Sequence, residues 1–375
     1  MSGPLTGIRV VELAGIGPGP FAGMVLADLG ADVVRVDRAG SVRPHPVSGF
    51  FDTLARGKRS VGVDLKSPEG VETVLRMVEG ADVLIEGYRP GVAERLGVGP
   101  DVCRARNPRL VYGRMTGWGQ EGPYAPTAGH DLNYIALAGV VERIGRVGEK
   151  PVVPLNLIGD FGGGGMLLAL GVASALVERA TSGEGQVIDA AMVDGAALLM
   201  AFFTGMTQGP RGTNVLDGGA PYYDVYECAD GAYVTIGSIE PQFYAELKQL
   251  LDLDGPLWDE QNDTDQWADQ KEALTKIFLT RTRAQWCELL EGTDVCFAPV
   301  LSPAEAAMHP HNVARGTFVE SGGMVQPAPA PRFDRTPGAI ARPPCWPGSH
   351  SDEVLADAGF SADEIARLRD AEVVR

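Results

Sequence analysis

Three residues in this sequence have side chains and settings suited to general acid–base work. His130 stands in "TAGHDLNYIALAG", one of five histidines, directly before an apolar run with helical spacing. Asp160 stands in "LIGDFGGGG", just ahead of a glycine-rich helix start, and Glu240 in "GSIEPQFYAEL", between a β-rich run and a proline that opens a helix. Imidazole and carboxylate groups are the usual proton donors and acceptors near neutral pH. Each has a plainer reading. A lone histidine is commonly structural, and an aspartate before a helix is commonly an N-cap. Spacing alone does not join the three into one site.

A second set is cationic: Arg38, the "RGKR" of Arg56 to Arg59, Lys66, Arg89 and Arg95. These sit at the ends of consecutive strand-like runs, the usual ligand edge of an open α/β sheet. Cations from separate loops there could hold a ligand with several phosphates. The turn "GIGPGPFAG" resembles a dinucleotide fingerprint through Gly17, Gly19 and Ala22, with Asp37 in the place of a ribose-binding acid. Pro18 and Pro20 weaken that reading, because they lack the amide donors a pyrophosphate cradle needs. Arg38 beside Asp37 also suits a phosphate better than a free hydroxyl. A tight strand–helix turn is the better account, and an NAD-linked oxidoreductase is a distant alternative. Met166, Met192, Met200 and Met206, with Phe202 and Phe203, read as core packing or as an adaptable acyl pocket.

The elements that must position these residues alternate. Ile8–Gly15, Asp32–Arg38, Ser60–Lys66, Asp82–Tyr88 and "RLVYGRMTG" read as strands. Helical runs lie between them, one opened by Ser67 as N-cap and Pro68 at the first position. The pattern predicts an α/β fold with a largely parallel sheet. Two apolar stretches, "FGGGGMLLALGVASALV" and "AALLMAFFTGM", fall short of the about 20 apolar residues of a membrane span, and read as buried core helices near 161–180 and 190–208. "YYDVYECADGAYVTIGS" predicts a hairpin across Asp230-Gly231. "QPAPAPRFDRTPGAIARPPCWPG" reads as an extended strap, followed by helical caps at Ser351 and Ser361.

At 375 residues the chain suggests two or three folding units. A formal charge of −17 argues against a nucleic-acid partner. The cations of residues 1–120 roughly offset the local acids, which fits a local anion site. Five cysteines without a CxxC argue for reduced thiols in the cytoplasm rather than disulfides or a zinc site, and His309-Pro310-His311 is a poor metal site. The start of the chain lacks the pattern of a secretory leader.

Taken in order, "VVELAGIGPGPFAGMVLADLGADVVRVDR", "RGKRSVGVDLK", "EGYRPGVAERLG", "MTGWGQEGP", "AGHDLNYIALAG", "NLIGDFGGGG", "GQVIDAAMVDG" and "GSIEPQFYAEL" resemble the α-methylacyl-CoA racemases of the family III CoA-transferase superfamily, over nearly the whole chain. The resemblance implies an interlocked homodimer. Residues 1–200 would form a large Rossmann-like CoA-binding domain, 201–221 a linker and 222–325 a small α+β domain. Residues 326–375 would return to the large domain. It also implies that His130 and Asp160 exchange a proton on opposite faces of the substrate α-carbon, supported by Glu240 of the partner subunit. CoA, part of the substrate, would meet Arg38, Asp64, Leu65, Lys66, Gly87, Tyr88, Arg89 and Arg95, with Asp131, Asn133 and Tyr134 beside His130. No cofactor, metal or membrane is implied. Family transferases use the aspartate at the Asp160 position as a nucleophile, generally lack the histidine of "GHDLNY", and often carry a glycine-rich flap where this chain has "GSIEPQFYAEL". Both differences favour racemase over transferase.

Overall fold

The structure, a computed structural model, describes residues 2–43, 52–206 and 209–375; most of "RPHPVSG" and residues 207–208 of the expected linker lie outside them. The chain forms two compact units, Met1–Ala138 with Leu155–Ala201 and Val313–Arg375, and Gly139–Pro154 with Phe202–Asn312. The excursion Gly139–Pro154 has no counterpart in the division read from the sequence, and the first unit resumes at Val313 rather than at 326.

Six parallel strands carry the first unit: β1 Arg9–Leu13, β2 Asp32–Arg38, β3 Arg59–Val63, β4 Val83–Glu86, β5 Val111–Thr116 and β6 Val187–Ala191. Their order is β3-β2-β1-β4-β5-β6, the doubly wound Rossmann arrangement. The inner strands are near-continuous Val, Ile and Leu because helices cover both faces. Successive connections turn to opposite sides of β1 and β4, so the loops leaving these strands part and open a crevice. β6 escaped the sequence reading. "VIDAA" is a short edge strand with a polar residue at its centre, and it runs directly into a helix.

The flanking helices are α1 Pro18–Asp28, α2 Pro68–Glu79, α3 Pro100–Arg106, α4 Asp131–Leu137, α5 Leu167–Ser182 and α6 Met192–Leu199. α2 begins as expected, with the Ser67 hydroxyl accepting from the Glu69 amide at 3.2 Å. α5 continues from a π-helical segment, Leu157–Met166, so the helical stretch spans 26 residues rather than the shorter run read from the sequence. The expectation that both apolar helices are buried is corrected. Leu170 is 62% exposed, Val177 74% and Leu198 61%. Apolar periodicity identifies a helix but does not say whether its second apolar face meets this chain.

The second unit is built on an antiparallel sheet, β7 Tyr223–Glu227, β8 Tyr233–Gly237 and β9 Phe297–Pro299, with α7 Pro241–Leu250, α8 Trp267–Phe278 and α9 Arg283–Leu290. The hairpin turns across Asp230-Gly231, where Gly231 has φ 73°. Its core stacks Tyr226 on Phe278, with the Trp286 indole donating to the Phe278 carbonyl at 2.8 Å.

The rest of the chain closes on the first unit. β10 Phe318–Ser321 and β11 Met324–Pro327 form a hairpin across Gly322-Gly323, both at positive φ. The proline-rich strap is pinned by backbone bonds from Ala339 to Asp28, Gly57 to Arg342 and Cys345 to Ala55. α10 Ser351–Asp357 and α11 Ala362–Asp370 follow; Ser361 and Glu364 make the expected capping box, whereas α10 is preceded by His350 rather than by Ser351.

Glycines set the distance between the π-helical segment and its neighbours. A Cβ on Gly195 would lie 1.9 Å from the Gly163 carbonyl oxygen, and one on Gly165 would lie 2.7 Å from the Pro18 carbonyl. Gly195→Ala gains about 1 kcal/mol of helix propensity. It forces backbone apart, an overpacking that outweighs the gain at about 1–3 kcal/mol or more. A lowered thermal unfolding midpoint relative to the wild type is the expected result.

Candidate active site

The crevice at the carboxyl ends of β1, β4 and β5 is a cavity of about 480 Å³. Gly15–Pro20 enter it from β1, Gly87–Pro90 from β4 and Thr116–Trp118 from β5. His130, Tyr134, Asn156, Asp160 and Met192 complete the wall. Two of the three acid–base candidates therefore share one cavity.

Their placement follows from one short stretch. His130 occupies the N-cap of α4 in extended conformation, its amide donating to the Asn133 side chain at 3.0 Å. The next residue, Asp131, is turned inward and buried, and its carboxylate accepts from the Asp160 amide at 2.7 Å. Gly159 makes this possible, since a Cβ there would lie 2.6 Å from the Asp131 oxygen. The helix start bearing His130 is thus tied to the backbone of Asp160 itself. Gly17, at φ 68°, brings the β1 turn to Asp160: a Cβ would sit 3.4 Å from its carboxylate. Phe161 packs on Phe21 of α1 with ring centroids 4.8 Å apart.

Asp160 is half-buried, and burial pushes its carboxyl above the ordinary aspartate range. A hydrogen bond from the Asn156 amide, at 3.0 Å, opposes the rise, the Asp131 charge adds to it, and His130 opposes it. His130 is exposed to the cavity. Tyr134 is buried beneath it; its hydroxyl donates to the Gly129 carbonyl, and its ring meets Trp118 edge-on at 4.7 Å.

A second cleft, of about 720 Å³, adjoins the first through Tyr88. It lies at the ends of β2 and β3 and is lined by Arg38, Asp64, Leu65 and Lys66 among others. Arg38, Lys66, Arg89 and Arg95 are exposed and form no ion pair among the described residues. Gly87 and Arg89 line the first cavity, whereas Arg95, Asp131 and Asn133 line neither. Glu240 is an exposed residue at the N-cap of α7 in the second unit.

The "RGKR" cations are corrected. They lie at the opening of β3, the opposite edge from the crevice, and are consumed internally. Lys58 is fully buried, 2.5 Å from Glu12 and 2.8 Å from the Pro20 carbonyl. Arg56 pairs with Asp28, and Arg59 with Asp32, Glu353 and Asp357. Asp37 is likewise spent, holding Arg35 at 2.8 Å and the Ser60 hydroxyl at 2.6 Å, so it cannot serve as a ribose-binding acid. Of the methionine set, Met192 lines the cavity, while Met166, Met206 and Phe202 are exposed rather than packed in a core.

Sequence reasoning missed Asn156 and Glu86. Glu86, buried at the end of β4, accepts from the Tyr88 amide at 2.6 Å and from Arg114 at 3.0 Å, which fixes the Gly87–Arg89 turn. An acid closing an otherwise apolar strand was the available signal.

A family model described as CoA-transferase family III matches residues 5–351. The chain belongs to CoA-transferase family III. It is 47% identical to the α-methylacyl-CoA racemase of Mus musculus, over 99% of this chain and 97% of that protein. It is 46% identical to the Homo sapiens α-methylacyl-CoA racemase over the same shares. Among solved structures it resembles a CaiB/BaiF family protein from Brucella suis, with a TM-score of 0.80 at 28% identity, covering 96% of this chain and 100% of that one.

Asn156→Ala removes a donor from the Asp160 carboxylate and so favours its protonated form. A carboxyl-carbon NMR titration should show the Asp160 pKa moving up relative to the wild type.

Proposed function

We infer that this chain interconverts the (2R) and (2S) forms of 2-methylacyl-CoA thioesters, by removing the α-proton to one group and returning a proton from another. One observation carries this reading: His130 and Asp160 face one cavity from two different helix starts, locked together through Asp131. Inversion at carbon needs two such groups, one basic and one protonated, exchanging roles with direction. A carboxyl raised above its ordinary range suits both roles better than a strongly acidic one. The relatives at 46–47% identity bear the name α-methylacyl-CoA racemase, which supports inversion at the carbon beside the thioester. The enolate oxygen formed on the way requires hydrogen-bond donors in the cavity.

CoA would run from the cavity past Tyr88 into the second cleft. Arg38, Lys66, Arg89 and Arg95, which form no ion pair among the described residues, with the Gly87–Arg89 turn and the Asp64–Lys66 stretch, would hold its phosphates. The substrate carries CoA itself, and two side chains suffice for the step, so the mechanism calls for no resident cofactor.

We further propose an interlocked homodimer. Leu170 and Val177 on α5 and Leu198 and Leu199 on α6 are exposed, and such apolar outer faces support a covered interface. In that assembly Glu240 of the partner subunit would stabilise the protonated form of His130. Five unbridged cysteines support a cytoplasmic setting.

The transferase reading, with Asp160 as nucleophile, is favoured by no separate observation, and an exposed imidazole in the cavity would have no part in it. One epimer of a 2-methylacyl-CoA, incubated in deuterated water without an acceptor acid, should gain α-deuterium and epimerise. His130→Ala should lower the rate of epimerisation by about 10²–10⁴-fold. No exchange, with acyl transfer once an acceptor is supplied, contradicts the reading.

A further inference from the structure

The cleft beyond Tyr88 contains a cation that the CoA reading has not yet used. Arg375 lines it together with Arg38 and Lys66, from a segment far from Lys66 in the sequence but seated directly on β3. The seat is built. The Arg375 amide donates to the Gly62 carbonyl at 3.0 Å, and its carbonyl accepts from the Ser351 hydroxyl at 2.5 Å. Asp64 donates its amide to the Val373 carbonyl at 2.9 Å, and Val63 bridges Val374 in antiparallel register. Two glycines clear space for this backbone: a Cβ on either Gly62 or Gly348 would fall 2.9 Å from the Arg375 carbonyl oxygen. Val373 and Val374 are buried in the core beneath. The side chain above them is therefore presented from a fixed base.

The electrostatics leave that side chain available. Its partner is Glu372, at 3.0 Å, and both groups are exposed, so the pair is weak and easily exchanged. Arg38 and Lys66 form no ion pair among the described residues. The acids of the cleft are partly spent: Asp37 on Arg35 and Ser60, and one Asp64 oxygen on the Lys66 amide at 3.0 Å. Three cations from three separate segments converge on one volume, the arrangement that suits a doubly charged phosphate monoester. CoA has one such group, on the ribose at the end remote from the thioester.

We propose that Arg375, with Arg38 and Lys66, seats the terminal ribose phosphate of CoA and makes the protein selective for CoA over dephospho-CoA. The proposal rests on the CoA reading above and adds the residue that distinguishes the two carriers. Glu372 holds the guanidinium over the cleft until the phosphate displaces it.

The test is calorimetric titration of the full chain with free CoA and with dephospho-CoA. Wild-type protein should prefer CoA. Arg375→Ala should weaken CoA about tenfold, the size of one lost charge-assisted contact, and leave dephospho-CoA unchanged. Glu372→Ala breaks the same surface pair but keeps the cation, so it should retain the preference. Equal weakening of both ligands by Arg375→Ala, or loss of the preference in Glu372→Ala as well, overturns the proposal while leaving the CoA reading in place. Wild-type protein that binds neither ligand overturns both.

Discussion

The bond from the Asp160 amide to the buried Asp131 carboxylate is the contact on which the site depends. It joins the residue after His130 to the backbone of Asp160 and so ties the two candidate groups to one another. A charge-assisted bond of this kind, shielded from water, is worth about 1.5–3 kcal/mol and fixes a direction as well as a distance. It forms only because the chain is stripped of side chains around it. Gly159 admits the carboxylate, Gly17 admits Asp160, and Gly163 and Gly195 let the π-helical segment touch α6. The glycine run is a close-packing device, and it sets how near Asp131, Asp160 and their neighbours come to one another.

Charge is divided in the same way between structure and ligand. At the opening edge of the sheet, Arg56, Lys58 and Arg59 are buried with their own carboxylates, where breaking a pair would strand a charge. At the closing edge, Arg38, Lys66 and Arg89 stand in or beside the two clefts without partners among the described residues. The parallel sheet creates this polarity: every strand delivers its carboxyl end to the same side, and the order reversal between β1 and β4 opens that side. Burial then raises Asp160, while Asn156 keeps it from rising further.

Much of this was legible in the residues. Alternating β-rich and helical runs gave the parallel α/β unit, and β2 fell on the residues expected, Asp32–Arg38. His130 and Asp160 were singled out by type and by their position before helices, and they meet in one cavity. The parts that stayed hidden did so for physical reasons. β6 is an edge strand held from one side, so its pattern is weak. The opening-edge arginines look like any anion site until their partners, distant in sequence, are seen. The helices at 161–180 and 190–208 were recognisable as apolar, but an apolar face left exposed reads the same in sequence as a core face. The Gly322-Gly323 hairpin carried a readable turn signal that the composition of its surroundings obscured.

The central claim is that His130 and Asp160 serve opposite faces of one carbon. It is tested most directly by following α-proton washout separately from each pure epimer, in His130→Ala and in Asp160→Asn. The account predicts complementary losses, with each variant failing to exchange one epimer while still exchanging the other. Loss of exchange from both epimers in one variant, with none in the other, would contradict it and assign the chemistry to a single group.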